Sequence, residues 1–375
     1  MKHFKILIIL FFTSIVFGQF PAEYKKEMKI GLNYYTNFEF DSAEKVYSQI
    51  TEKYPDDPLG WFYLMNTKYE SLKFNGKFKN ADIFLLNEIQ RISPIFENKI
   101  DGYPDEVVYL VYYGTLKGMS ARINLAESNY MKAFSESWRA INLIEKAYEI
   151  NPKYWDVFLP LGSYNFYGGV MADHYSVVDL IYNSEKKRKL GIEQLTIAYE
   201  NGVGAKWEAG RILLLIYLHE TKEYEKANKI GKKLVTQFPN NLEFKSLYIE
   251  LLVYLDKINE AEKLLKNYSK SYVNISQKGK KVWKVREKYL NAALNMQKGN
   301  YKDAKESFLF VIENYNLEFQ WFKVLSYLKI GQIYDIQKQR ENAKKYYQLA
   351  IDTKETTQAV KEAKEYLINS FTIRK

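Results

Sequence analysis

Five positions near the C-terminus, Gly331, Tyr334, Ala343, Tyr347 and Ala350, follow a spacing that recurs near the start as Gly31, Tyr34, Ala43, Tyr47 and Pro55. The small residues at Gly331 and Ala343 let two helix backbones approach closely, and Tyr327, Tyr334 and Tyr347 fill the seam between them. One such hairpin cannot bury its apolar face alone, so neighbours must stack, at least about three of them. The pattern therefore predicts an all-α solenoid of antiparallel helix pairs, which presents surface to partners rather than building a reaction centre.

The same signals can be followed along the chain. A first pair runs through Met28, Gly31 and Tyr34, then Phe40, Ala43, Tyr47 and Ile50. Helical stretches follow at Trp61 to Tyr69, Ala81 to Ile92 and Val107 to Asn124, the last with Gly114, Gly118 and Ala121 on one face. The next helix holds Trp138, Ile141, Ile144 and Ala147 and stops at Asn151-Pro152. Beyond it, Trp155 to Phe166 reads as the first helix of a further pair, but its second helix, through Gly191, Leu195 and Ala198, is delayed by an insertion around 167–189. An insertion into a regular array falls on one rim, often the binding rim, so Asp173, His174 and Tyr175 are candidate specificity residues. The expected organisation is a leader over 1–18, an N-terminal and central array over 19–266, a basic irregular connection over 267–284, and C-terminal pairs with a capping helix over 285–375.

The spacing resembles that of the tetratricopeptide repeat (TPR), and one region resembles something narrower. The segment DVFLPLGSYNFYGGV, followed by LGIEQLTIAYENGVGAKWEAGRILLLIY, is similar to a group of exported bacterial TPR proteins with an aromatic G-x-Y-x-F/Y motif, here Gly162, Tyr164, Phe166 and Tyr167. That group is in turn similar to a eukaryotic TPR family linked to inclusion-body clearance and lipid droplets. The likeness covers about 155–255; the proline common at the start of the group's insertion is missing here. The resemblance implies a binding scaffold and carries over no catalytic residue.

Lys2 and Lys5, the apolar run Ile6 to Phe12, and Val16-Phe17-Gly18 have the layout of a secretory signal, so the mature chain is expected to begin near Gln19 in a periplasmic or secreted setting. With no Cys, the chain has no disulfide, thiol chemistry or cysteine-held zinc, which suits a bacterial envelope. The net charge of +10 would raise nucleic acid as a partner inside a cell; an export signal turns the expectation to anionic glycan or lipid instead. No later segment has the length of a membrane span, so the mature protein is not expected to be an integral membrane protein.

Three His are present, and neither His174 nor His219 stands in a metal-ligand spacing. No nucleophile elbow, phosphate-binding loop or dinucleotide fingerprint occurs. The expectation is therefore no catalytic residue, no metal and no cofactor, with a helical hydrolase built on two close carboxylates as the outlying alternative. Counting from the Gly position of each pair places Met28, Tyr35, Leu159, Phe166, Ile212, His219, Arg286, Tyr289 and Asp335 on the concave face. Aromatics interleaved with charges there suit a protein or peptide partner, because rings stack while charges orient.

Overall fold

The structure is a computed structural model that describes residues 20–172, 183–273, 275–315, 320–355 and 357–372. Among these the regular structure is all helical, without a strand, and the chain forms two compact units, Met1–Leu213 and Leu214–Lys375. In the first, α1 (Lys25–Thr36) pairs with α2 (Phe40–Lys53), α3 (Pro58–Phe74) with α4 (Phe78–Gly102), α5 (Val107–Ala126) with α6 (Tyr130–Ile150), and α7 (Phe158–Ala172) with α8 (Ser184–Asn201), before α9 (Lys206–Leu215). In the second, a π-helical turn over Ile216–Glu220 leads to α10 (Tyr224–Gln237) and α11 (Leu242–Tyr254), which α12 (Ile258–Leu265) follows. The pairs α13 (Gln277–Gln297) with α14 (Tyr301–Asn314) and α15 (Trp321–Ile336) with α16 (Arg340–Asp352) come next, and α17 (Gln358–Ile368) packs on the last pair.

The hairpins share one turn chemistry. Phe38, Gly76, Ser128, Asp256, Gly299 and Lys338 each adopt positive φ just after the first helix of a pair. The next amide then bonds back across six residues, as in Glu39 N–H to Tyr34 O at 2.9 Å and Gln339 N–H to Tyr334 O at 2.8 Å. This closure satisfies the last carbonyls of one helix and aims the chain into the next.

Close approach is built in where the repeat places glycine. A Cβ on Gly31 would lie 2.7 Å from the ring of Tyr47, and one on Gly331 would strike the ring of Tyr347, so first and last pairs lock alike. In α7 and α8 the contact is backbone on backbone: a Cβ on Gly162 would stand 2.9 Å from Gly191 O, and one on Gly191 2.7 Å from Gly162 O. Two glycines thus allow these helices to touch along their main chains.

Several first helices of the pairs are buried on nearly every side. Each residue of α5 from Val107 to Leu125 is buried, and the long runs Leu242 to Val253 in α11 and Val324 to Ile333 in α15 are nearly so. Apolar residues all round such helices give them no free face. Charges caught inside are paired: Arg122 donates to Asp82 Oδ1 at 2.9 Å and to Tyr69 Oη at 2.7 Å. The second helices bury only a stripe, such as Ala43, Tyr47 and Ile50 in α2 or Ala343, Tyr347 and Ala350 in α16.

Two details differ from the sequence expectation. Within 267–284, a 3₁₀ turn at Ser269–Tyr272 is followed by α13 from Gln277, started by Ser276 Oγ accepting from Gly279 N–H at 3.1 Å, so half of the supposedly irregular connection is helix. The insertion is also helical at both edges, since α7 continues to Ala172 and α8 begins at Ser184. Its centre, with Asp173, His174 and Tyr175, lies outside the described residues, as does the leader over 1–18. No helix among the described residues is long and apolar enough to cross a membrane.

Candidate functional site

Two features are not accounted for by packing, one in each unit. In the C-terminal unit a chamber of about 370 Å³ has apolar walls from Leu218, Met296, Trp321, Leu325, Leu328 and Ile336, with His219, Glu220, Lys222, Lys329, Gln332 and Glu362 among its polar lining. Its size is at the small end of ligand pockets, about 300–1,000 Å³.

The π-turn shapes one wall. Thr221 N–H bonds to Ile216 O at 2.9 Å, which gives the helix one extra residue in its last turn. His219 sits in that turn, its ring edge-on to Trp321 at 4.9 Å. Such insertions in a helix are frequently found at functional sites. His219 is only 8% exposed, and its Nε2 stands 3.5 Å from Glu250 Oε2 without a hydrogen bond among the described residues. Glu250 is buried too and accepts from Tyr289 Oη at 2.7 Å.

Burial drives both groups toward neutrality. It pushes the His219 imidazole down to about 3, helped by the positive charges of Lys329 and Lys222. It pushes the Glu250 carboxyl up to about 7 against the pull of Tyr289, Lys329 and Arg286. With the imidazole neutral, the contact is not an ion pair.

The cations differ in their partners. Lys222 pairs with Glu362 at 2.7 Å. Lys329 has its ammonium 4.8 Å from the centroid of Tyr254, which stacks on Tyr224 at 5.2 Å, and no described carboxylate lies within ion-pair distance of it. Burial lowers the pKa of Lys329, although Glu362 and Glu250 oppose the shift. Gln332 is 4% exposed, and its Oε1 likewise accepts no hydrogen bond among the described residues. The lining is equipped to hold a ligand, and among the described residues no group of three His, Asp or Glu is placed to hold a metal ion.

The second feature is on α6. This helix buries Ala133, Ala140, Ile144 and Ala147, yet on its opposite side Met131, Phe134 and Trp138 are 82%, 68% and 62% exposed. Their i, i+3, i+7 spacing forms one seam, and Glu145 and Glu149 continue the same face as exposed acids. Isolated apolar residues on a surface are ordinary; three large ones in a line mark an interaction site.

The residues expected to line a concave face are distributed differently. Met28, Leu159, Phe166 and Ile212 are buried in the N-terminal unit, and Tyr35 is half-buried there. In the C-terminal unit, His219 and Tyr289 come together through Glu250, next to the chamber. Arg286 lies over Trp283 and Phe322, 5.1 and 5.5 Å from their ring centroids. Asp335 holds both Arg340 Nη1, at 3.0 and 2.9 Å, and Tyr347 Oη, at 2.8 Å. Glu250, Lys329 and Gln332 escape the sequence reading because the helices that carry them are buried at polar and apolar positions alike, so polarity does not separate an inward from an outward face. Met131 and Phe134 had one: α6 carries two apolar stripes, and only one can face its own core.

A family model described as tetratricopeptide repeat matches residues 27–57. Among solved structures, a human IFIT1 dimer with m7Gppp-AAAA is 13% identical with a TM-score of 0.43, the match covering 92% of this chain and 78% of that one. YrrB, described as a TPR protein with an unusual peptide-binding site, is 15% identical with a TM-score of 0.29, covering 72% and 97%. A tetratricopeptide repeat protein from Parabacteroides merdae is 14% identical with a TM-score of 0.32, covering 83% and 100%. No curated protein sequence matches the chain.

Proposed function

We propose that this chain, a tetratricopeptide-repeat protein, is a non-enzymatic scaffold that binds a protein partner through the exposed face of α6. The observation that carries the reading is the seam of Met131, Phe134 and Trp138, which the fold itself does not use. Spacing of i, i+3, i+7 matches the seam of one helix laid along another. Because Glu145 and Glu149 follow on the same face, the partner is an amphipathic helix whose apolar stripe is succeeded by basic side chains.

We place the protein in the cell envelope, periplasmic or secreted, on the strength of the charged and apolar leader pattern over 1–18. Fractionation of cells, with mass determination of the mature N-terminus, is expected to find it there starting near Gln19.

A photo-crosslinking phenylalanine analogue at position 134, activated in intact cells, is expected to join the protein to one helical partner. Trp138→Glu should abolish the adduct while leaving helicity unchanged, since exposed positions cost within about 0.5 kcal/mol. An adduct set identical with and without Trp138→Glu, or no protein adduct at all, would overturn the assignment.

A further inference from the structure

We propose that the chamber of the C-terminal unit is a binding site for a small carboxylic acid with an apolar body, its carboxylate against Lys329 and its body against Trp321, Leu325 and Leu328. Three independent observations lead there. The walls are apolar side chains from several helices, and at about 370 Å³ the space suits one compact molecule rather than an extended chain.

The second observation is the charge arrangement. Of the two lysines on the lining, Lys222 is matched by Glu362 at 2.7 Å, while Lys329 has only the face of Tyr254 among the described residues. Lys329 thus has no direct ion pair, although Glu362 and Glu250 act on it from farther off and Glu220 shares the lining, and a carboxylate is the compact group that would supply a direct partner. The lowered pKa of Lys329 has the same cause, a charged form short of compensation.

The third is hydrogen-bonding capacity directed at the same space. Gln332, more than nine-tenths buried, lines the chamber with an Oε1 that has no hydrogen bond among the described residues, while His219 Nε2 on the same lining stands 3.5 Å from Glu250 Oε2. Buried polar atoms of native proteins are overwhelmingly paired, so Gln332 Oε1 calls for a donor on the occupant. His219 is neutral and adds no charge, which leaves Lys329 as the electrostatic anchor. A donor on the body of the acid, such as an indole N–H, would satisfy Gln332 Oε1, whereas a purely hydrocarbon ligand would satisfy neither that oxygen nor Lys329.

The experiment is calorimetric titration of the full mature chain with octanoate and with indole-3-acetate, each beside its neutral amide. One acid is expected to bind at one molecule per chain, its amide about thirtyfold or more weaker, as for loss of a buried charge partner. Which acid binds separates an aliphatic from an aromatic source. Lys329→Met should abolish binding, Lys329→Arg should restore it in part, and Lys222→Met should leave it nearly unchanged. If Lys329→Met does not fold, the acid-over-amide preference of the wild type and its loss in Lys329→Gln decide the matter. Equal affinity for acid and amide, undiminished binding by Lys329→Met, or no binding of either acid would overturn the proposal.

Discussion

At the scale of single residues, the two ends of the chain show how one substitution changes the same lock. Tyr47 and Tyr347 occupy equivalent places, each against a glycine of its partner helix. Tyr347 gives its hydroxyl to Asp335 Oδ2 at 2.8 Å; the position matching Asp335 in the first pair is Tyr35, and the Tyr47 hydroxyl is buried without a hydrogen bond among the described residues. Removing an unmatched hydroxyl costs little, whereas removing a donor from a buried carboxylate costs about 1–3 kcal/mol. Tyr47→Phe is therefore expected to be neutral or slightly stabilising in urea unfolding, and Tyr347→Phe to destabilise by about 1–3 kcal/mol. Equal losses would mean that the hydroxyls do not distinguish the two hairpins.

At the scale of helices, the α7–α8 pair rests on two glycines that bring main chains into contact. Forcing a methyl into such a seam typically costs about 1–3 kcal/mol. Gly162→Ala and Gly191→Ala are each expected to lower the unfolding free energy by that amount. Gly102→Ala, where a Cβ would meet nothing within 4 Å, should be neutral or slightly stabilising, and circular dichroism during chemical denaturation separates the cases. The sequence made these helices legible because glycine and alanine at fixed offsets can only mean close packing. Polar groups inside the first helices were less legible. Glu250 lies in a run from Leu242 to Val253 that is buried at all but Glu243 and Lys245, polar residues included, so polarity alone does not mark which side of α11 meets His219. Trp138 shares an apolar run with Ile141 and Ile144 in the sequence, yet the structure turns it to solvent because Ala133, Ala140, Ile144 and Ala147 form the buried stripe.

At the scale of the whole molecule, stability is linked to pH through buried groups held neutral. Glu250 has its pKa raised to about 7, so the fold keeps a proton that the unfolded chain gives up at lower pH. That contribution is present at acid pH and is lost as pH rises through the interval up to about 7. Asp156, raised to about 7 by burial although Gly204 and Ala205 amides donate to it, acts in the same direction. His219 acts oppositely: its pKa is lowered to about 3, so its contribution is lost as pH falls below its ordinary value of 6.5. Glu250 faces His219, the Tyr289 hydroxyl, and the charges of Lys329 and Arg286, and a glutamine there would still accept from Tyr289 without titrating. Glu250→Gln should therefore gain on the wild type by about 2 kcal/mol between pH 5 and pH 8. Urea unfolding at four pH values tests this, and a difference independent of pH would show that Glu250 keeps its charge in the fold.

Asp335 also fastens the far end of the chain. It accepts from the Phe371 amide at 2.8 Å, and its partner Arg340 reaches the carbonyls of Tyr366 and Leu367 at 2.8 and 2.9 Å. The tail is therefore a clasp rather than a loose thread. A polypeptide trimmed before Phe371 would leave that carboxylate short of a donor, and a fusion joined upstream of it would unpick the hairpin that closes the array.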